Sequence, residues 1–288
     1  MADPILRQKL ASKSFFVVPG MHDMISTVIA NKVGFDIVYG TGYWLTASAY
    51  GLPDAGIATY TQMLDRMATL VKTSNAAVIA DADTGYGGLL NVQHTVRGYE
   101  AAGVTAIQLE DQEFPKKCGH TPFKRCIPVE DMVLKIKVAV DAREDKQNFL
   151  IITRTDIRAS EGVDAALRRL EAYANAGADI LFFEAPHSVE EMCRACEAFD
   201  LPMMANMADG GKTPILPAKT LAEIGYAFAI YPSLASLSAA SAMEQSLRRL
   251  KDTGLSQSPD QAIFDFMEFC ELIGFKEVWD FEKKWVQK

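Results

Sequence analysis

Two spacings of apolar residues alternate along the chain. Short β-branched and aromatic runs, each suited to a buried strand, are separated by stretches in which apolar positions return every third or fourth residue. The strand candidates are FFVVP (15–19), DIVYG (36–40), AVIADAD (77–83), AIQLED (106–111), FLIITRTD (149–156), ILFFEA (180–185), PMMANM (202–207) and FAIYP (228–232). Helices are predicted near 22–33, 58–74, 91–102, 129–143, 163–176, 188–199 and 217–225, and a longer one at about 234–252. In the first, Met24, Val28 and Ile29 share a face and Gly34 ends it.

Eight strands, each followed by a helix, predict an α/β fold, a (β/α)8 TIM-type barrel. An open doubly wound sheet is the alternative, but even spacing of the units favours closure. No proline-rich or low-complexity linker divides the chain, so a single domain over 1–288 is expected, with a helical extension over about 255–288. That extension carries Phe264, Phe266, Phe269, Phe275, Trp279 and Trp285. It is too apolar for a solvated tail and is expected to dock on the barrel or on a second subunit.

Composition narrows the partners. With 49% hydrophobic residues, 288 residues can bury a sizeable core. A net charge of -8 without a basic run argues against nucleic acid, and an anionic ligand would need positive charge concentrated locally. The chain has no apolar run long enough to span a bilayer, and its first residues lack the apolar middle of a signal peptide, so no membrane association and a cytoplasmic location are expected. Five cysteines do not suggest a disulfide framework. Cys193 and Cys196 lie on a helical pattern with no second ligand pair, which reads as helix packing.

Polar residues gather where barrel strands end, the rim at which such barrels work. Tyr39, Thr41, Gly42 and Tyr43 follow the second strand, Asp81 and Asp83 end the third, and Glu110 the fourth. Arg154, Glu184 and Asn206 close the fifth, sixth and seventh. Asp81 and Asp83 alternate by two and should share a face of the strand. Two close carboxylates take up a proton or a cation. With Glu110 and Asp54 (in GLPDAG) they make an all-oxygen set suited to Mg2+, or to Mn2+ in its place. Pairing of the acids with arginines is the structural alternative. His22, His94 and His187 read as surface or capping residues.

After the fourth strand comes QEFPKKCGHTPFK (112–124), expected to be a mobile loop. Cys118 has Lys116, Lys117 and His120 as near neighbours, and positive charge there would favour thiolate. A thiol on a closing loop can give or take one proton. An incidental cysteine on a basic surface loop is the plainer reading.

In order along the chain, ADADTGYG, LEDQ, KKCGH and RTD resemble the isocitrate lyase/phosphoenolpyruvate mutase superfamily, over about residues 15–250. Within it the chain resembles the short lyases that act on 2-methylisocitrate or 2,3-dimethylmalate, together with oxaloacetate hydrolase. The resemblance implies that Asp83 ligates Mg2+ directly while Asp81, Asp54 and Glu110 hold its waters. It implies Cys118 as acid/base on a gating loop that includes Lys116, Gly119 and His120, and Arg154 as binder of the substrate's oxyanion or carboxylate. Glu184 and Asn206 would line a carboxylate pocket, Thr41, Gly42 and Tyr43 would grip the 2-oxo-acid end, and Tyr39 would stand beside the reacting hydroxyl. The family's homotetramers, which exchange C-terminal helices, are the expected assembly.

The implied activity is cleavage of a 2-hydroxy di- or tricarboxylate into a 2-oxo acid, such as pyruvate, and a second carboxylate. Oxaloacetate hydrolysis, phosphonopyruvate-type chemistry and a non-catalytic dicarboxylate-binding barrel are the alternatives. Where methylisocitrate lyases carry small glycines, this chain has Tyr43 and Trp44. If those rings face the pocket they remove room for a tricarboxylate, which favours a C4 to C6 substituted malate.

Overall fold

The computed structural model describes residues 2–121, 123–257 and 262–286. Met1, Pro122, residues 258–261 and residues 287–288, which belong to the expected 1–288 domain and its 255–288 extension, lie outside the described residues. Eight parallel strands run in chain order around a closed barrel: β1 (Phe16–Met21), β2 (Ile37–Gly40), β3 (Ala77–Asp81), β4 (Ala106–Glu110), β5 (Leu150–Thr155), β6 (Ile180–Phe183), β7 (Met203–Asn206) and β8 (Phe228–Tyr231). Closure is made by β1 against β8, with Phe16 opposite Phe228 and Pro19 opposite Tyr231.

Alternation of side chains along each strand sorts the apolar residues into two layers. Inside the barrel stand Val18, Ile37, Ile79, Ile152, Phe182 and Ile230; outward, under the helices, stand Val38, Val78, Ile107, Ile151, Leu181 and Ala229. Both layers are buried, which is why the strands read as continuous apolar runs.

Helices α2 (Met24–Val33), α4 (Tyr60–Thr73), α5 (Leu89–Ala101), α6 (Val129–Ala142), α7 (Arg158–Asn175), α8 (Val189–Glu197), α9 (Ala218–Ile224) and α10 (Leu234–Thr253) occupy the positions expected from periodicity. Capping boxes start two of them: Asp23 with Ser26, and Thr59 with Gln62. Gly34 ends α2 as expected, but its buried residues are Thr27 and Ala30, beside Met24, while Val28 and Ile29 are half-buried.

Two helices were not expected. α1 (Ile5–Ala11) lies ahead of the first strand, and its Leu6 is fully buried in the inner layer. α3 (Gly42–Tyr50) begins directly after β2 with Thr41 as its N-cap, so the segment read as a strand-end loop is the first turn of a helix.

Beyond α10 come α11 (Phe266–Leu272) and α12 (Phe275–Trp285). α11 leans on α2, with Cys270 buried and Lys32 paired to Glu268. α12 buries none of its residues, and Phe281 and Trp285 are 61% and 66% exposed. The described aromatic residues of the extension are therefore mostly not covered by the barrel. Among the described residues no helix is long and apolar enough to cross a membrane.

Candidate active site

The C-terminal ends of β2 to β8 surround a cavity of about 270 Å³. Of the residues expected at the site, Tyr39, Thr41, Tyr43, Asp54, Asp81, Glu110, Lys116, Cys118, Gly119, His120, Arg154, Glu184 and Asn206 all line it. Gly42 and Asp83 do not. Gly42 stands behind Asp81, where a Cβ would lie 2.8 Å from the carboxylate Oδ2, so only glycine leaves the acid in place. Asp83 faces Lys116 instead.

β3 ends at Asp81, and Asp83 takes a positive φ of 49° in the turn that follows. The expected same-face alternation of the two acids therefore does not hold. A turn brings them together, with the Asp83 N–H donating to Asp81 Oδ1 at 3.1 Å. The Lys116 ammonium enters between Asp54, to which it bonds, and Asp83, 2.7 Å away. Burial alone would push that lysine down, but Asp83, Asp54 and Glu110 hold it protonated, well above its ordinary range. Burial raises the carboxyls of Asp81 and Asp83, the latter to about 6, because one ammonium is too little charge for them.

Glu110 is raised further, again by burial, and its Oε1 has no hydrogen-bond partner. Among the described residues no group of three or more His, Cys, Asp or Glu side chains is arranged to hold a metal ion as it stands. The donor chemistry nevertheless fits a hard divalent cation. Asp54, Asp81, Asp83 and Glu110 share the charge of Lys116 and Arg154, one of them has an orphaned oxygen, and Mg2+ needs only one or two carboxylates because it keeps its waters.

Arg154, opposite Glu110 in the β4–β5 register, is gripped from the side. Its Nε and Nη2 donate to the two oxygens of Asp156 at 2.8 and 3.0 Å. Glu110 and Glu184 approach it at 3.4 and 3.7 Å, and its guanidinium lies 5.2 Å from the centre of the Phe182 ring. Asp156 is fully buried, yet Arg154 and Lys124 hold its carboxyl well below the usual range. Glu184 Oε2 accepts from Asn206 Nδ2 at 3.3 Å; its Oε1 stands 3.2 Å from His120 Nε2 without the alignment of a hydrogen bond.

The loop between β4 and α6 covers this cluster. Its base is an antiparallel rung, Gln112 opposite Cys126, so it leaves and returns at one place. Lys116 is buried rather than exposed on a mobile loop. Gly119 presses against Arg154 and Glu184; a Cβ there would overlap Arg154 Nη2 and Glu184 Oε1. His120 Nδ1 accepts the Lys212 N–H at 3.2 Å from the loop after β7. Cys118 is half-buried, and burial raises its thiol pKa above the ordinary value, with the backbone bond at His120 and Arg154 opposing weakly. This reverses the expectation of a favoured thiolate. The adjacent lysines point elsewhere, Lys116 to its acids and Lys117 over the Phe123 ring at 6.0 Å.

Four participants were missed in the sequence. Gln108, buried on β4, accepts the Tyr39 hydroxyl at 2.8 Å and reaches toward Asp81 Oδ1 at 3.4 Å. Asp209 and Ser233 pair at 3.1 Å and line the far side of the cavity. Phe182 forms the floor under Arg154. Gln108 could have been found as the lone polar residue inside an apolar strand run; the other three carry no local signal. Tyr43 and Trp44 both line the cavity, packed on each other at 4.6 Å. The three remaining histidines lie elsewhere: His22 beside Asp23, His94 on Tyr60, and His187 on Arg158. Cys193 and Cys196 are free thiols, both on α8, and Cys196 is pushed up to about 12 by burial.

The chain and its fold have known relatives. The family described as phosphoenolpyruvate phosphomutase matches residues 6–251. The 2,3-dimethylmalate lyase of Eubacterium barkeri is 43% identical over 277 residues, covering 96% of each chain. A solved structure of oxaloacetate acetylhydrolase with the inhibitor 3,3-difluorooxalacetate superposes with a TM-score of 0.92 at 30% identity, over 98% of this chain and 96% of that one. Phosphonopyruvate hydrolase, solved with oxalate and Mg2+, gives a TM-score of 0.88 at 29% identity, over 99% of this chain and 100% of the other.

Proposed function

The chain belongs to the phosphoenolpyruvate mutase family, within the isocitrate lyase/phosphoenolpyruvate mutase superfamily, and we propose that it is a carbon–carbon lyase for a small 2-hydroxy dicarboxylate of the 2,3-dimethylmalate type. The products are a 2-oxo acid, pyruvate in that case, and a second carboxylate. One observation carries the reading: Cys118 lines the same cavity as Arg154, Asp81 and Glu110. A proton donor, a fixed guanidinium and undercharged acids are thus brought to one small volume.

Asp83, with Asp81, Asp54 and Glu110, would hold a divalent cation such as Mg2+ or Mn2+, which when bound would acidify the substrate's 2-hydroxyl and neutralise its carboxylate. The chain's own residues do the rest. The Tyr39 hydroxyl spends its proton on Gln108, so its lone pairs are free to accept from the substrate hydroxyl. The proton of that hydroxyl passes to Glu110, whose Oε1 has no other partner, as the C2–C3 bond breaks and its electrons leave on the departing fragment as a carboxylate-stabilised enolate. Arg154, fixed by Asp156, offsets that charge without having to reorganise. Cys118 begins as a thiol because burial keeps it protonated, and its Sγ proton goes to the enolate carbon. Lys116, Gly119 and His120 seat the loop that excludes water, and Glu184 with Asn206, beside Thr41 to Tyr43, flank the bound carboxylates.

The smaller substrate is supported by Tyr43 and Trp44, which occupy one wall of a cavity of only about 270 Å³. Purified protein with Mg2+ is offered 2,3-dimethylmalate, 2-methylisocitrate, isocitrate, oxaloacetate and phosphonopyruvate. Pyruvate from dimethylmalate at the highest kcat/KM supports the reading; preference for methylisocitrate overturns the size argument. Oxalate as the main product would favour a second reading, hydrolysis of oxaloacetate, whose hydrate presents a gem-diol to the same residues. The likeness to oxaloacetate acetylhydrolase speaks for that alternative.

The assembly is proposed to be a homotetramer held by the C-terminal helices. Met243 and Leu247 on α10, and Phe281 and Trp285 on α12, are exposed apolar residues in need of cover. Light scattering should give four chains, and removal of residues after 254 should lower that number. A monomer unaffected by the truncation overturns the proposal.

A further inference from the structure

Lys124 closes the covering loop from the far side, six residues after the thiol, and does not line the cavity. Its side chain is 2% exposed and that of its partner Asp156 is 0%. A lysine buried to this degree is stable only where its charge is fully paired. The ammonium donates to Asp156 Oδ1 at 2.7 Å and to the backbone carbonyl of Gly119. The same Asp156 takes both donors of Arg154, and its N–H is anchored on Asp111 Oδ1 at 2.9 Å. One carboxylate therefore carries two cations, one from strand β5 and one from the loop. Gly119, whose carbonyl Lys124 holds, is the residue that lies against Arg154.

We propose that Lys124 is a positioning residue that couples closure of the loop to the placement of Arg154, through the Gly119 carbonyl on one side and the Asp156 carboxylate on the other. When the loop lifts, Lys124 leaves Asp156 and the Gly119 carbonyl loses its donor. When it seats, the second cation completes the shell of Asp156, and Cys118 and Arg154 face the same cavity together. Lys116 anchors the loop on the acidic side and Lys124 on the Arg154 side, so the thiol between them is held at two points. The inference rests on the lyase reading for the meaning of closure, but not for its measurement.

The test uses the full chain with Mg2+ and oxalate as the probe. Hydrogen exchange is followed in peptides spanning 113–126 and in β5, for the natural protein and for Lys124→Met, with kcat measured on the preferred substrate. The expected result is exchange of the loop about 10- to 100-fold faster, unchanged protection of β5, and a fall in kcat of about the same size, with KM changed less. Loop exchange or kcat within about threefold of the natural protein overturns the proposal. So does faster exchange of β5 in step with the loop, which would mark a merely structural pair. If Lys124→Met does not fold, Lys124→Gln, which keeps a donor but no charge, is read in the same way. The exchange measurement needs no turnover, so a failure of the lyase reading leaves this result distinct.

Discussion

Gln112 grips the backbone of Lys117 at two points: its Nε2 donates to the Lys117 carbonyl at 2.8 Å, and its Oε1 accepts the Lys117 N–H at 3.0 Å. The peptide units next to Cys118 are thus fixed from the barrel side, by the last residue of the LEDQ stretch. The thiol reaches the cavity on a short, clamped piece of chain.

Gln112→Ala removes both bonds and leaves the half-buried N–H and carbonyl of Lys117 to find water. The expected loss is about tenfold in kcat, with little change in melting temperature, since the bonds are local and each contributes about 1 kcal/mol. Steady-state kinetics beside a thermal melt checks this; unchanged kcat would show that the clamp is not needed.

Cys118→Ser should lower kcat by about 10²- to 10⁴-fold, the usual contribution of a positioned acid, while oxalate with Mg2+ still binds. Product binding lost in parallel with turnover would instead assign the thiol to binding.

The proposed role of the same thiol implies a pH limit. Its pKa in the folded chain is raised above the ordinary 9.0, first by burial. In the proposed mechanism the protonated form is the working one, so activity is complete below that value and falls as pH rises through the raised one. A kcat profile with its alkaline limb above pH 9.0 is expected, and Cys118→Ser should move that limb. A limb near pH 7 would mean that the thiolate is the ground state.

Trp44→Ala opens the cavity wall beside Tyr43. The ratio of kcat/KM for 2-methylisocitrate to that for 2,3-dimethylmalate should rise about tenfold or more, the scale on which pocket volume discriminates substrates. A ratio that stays constant would place the ring outside the specificity surface.

Leu6→Ala tests the unexpected first helix. Leu6 is completely buried in the inner layer of the barrel, at the end away from the cavity. Truncation should cost about 2–5 kcal/mol and lower the melting temperature by several degrees, with kcat unchanged in the folded fraction.

The barrel was legible because each parallel strand is buried on both faces and so reads as an unbroken apolar run, as ILFF in β6 does. α1 was hidden because ILRQKLA is one short polar-rich turn pair whose single deep contact is Leu6. α3 was hidden because six of the nine residues of GYWLTASAY are indifferent or poor helix formers and few of the nine are buried. The rim residues were legible from strand register alone: Glu110 and Arg154 end neighbouring strands and do meet. The partner of Lys116 was not, since Asp54 lies 62 residues earlier in the chain. The state of the Cys118 thiol was misjudged for a related reason. Sequence proximity suggested cations around it, whereas the fold commits Lys116 to its acids and Lys117 to the Phe123 ring and leaves burial to dominate.

The rung between Gln112 and Cys126 brings the two stems of the covering segment side by side. The residues between them therefore form one unit that joins the barrel at one place. Exchanging residues 113–125 for those of a relative would replace the thiol and its neighbours together over an unchanged acidic floor, which makes this segment the natural cassette for asking what the cover contributes to the chemistry.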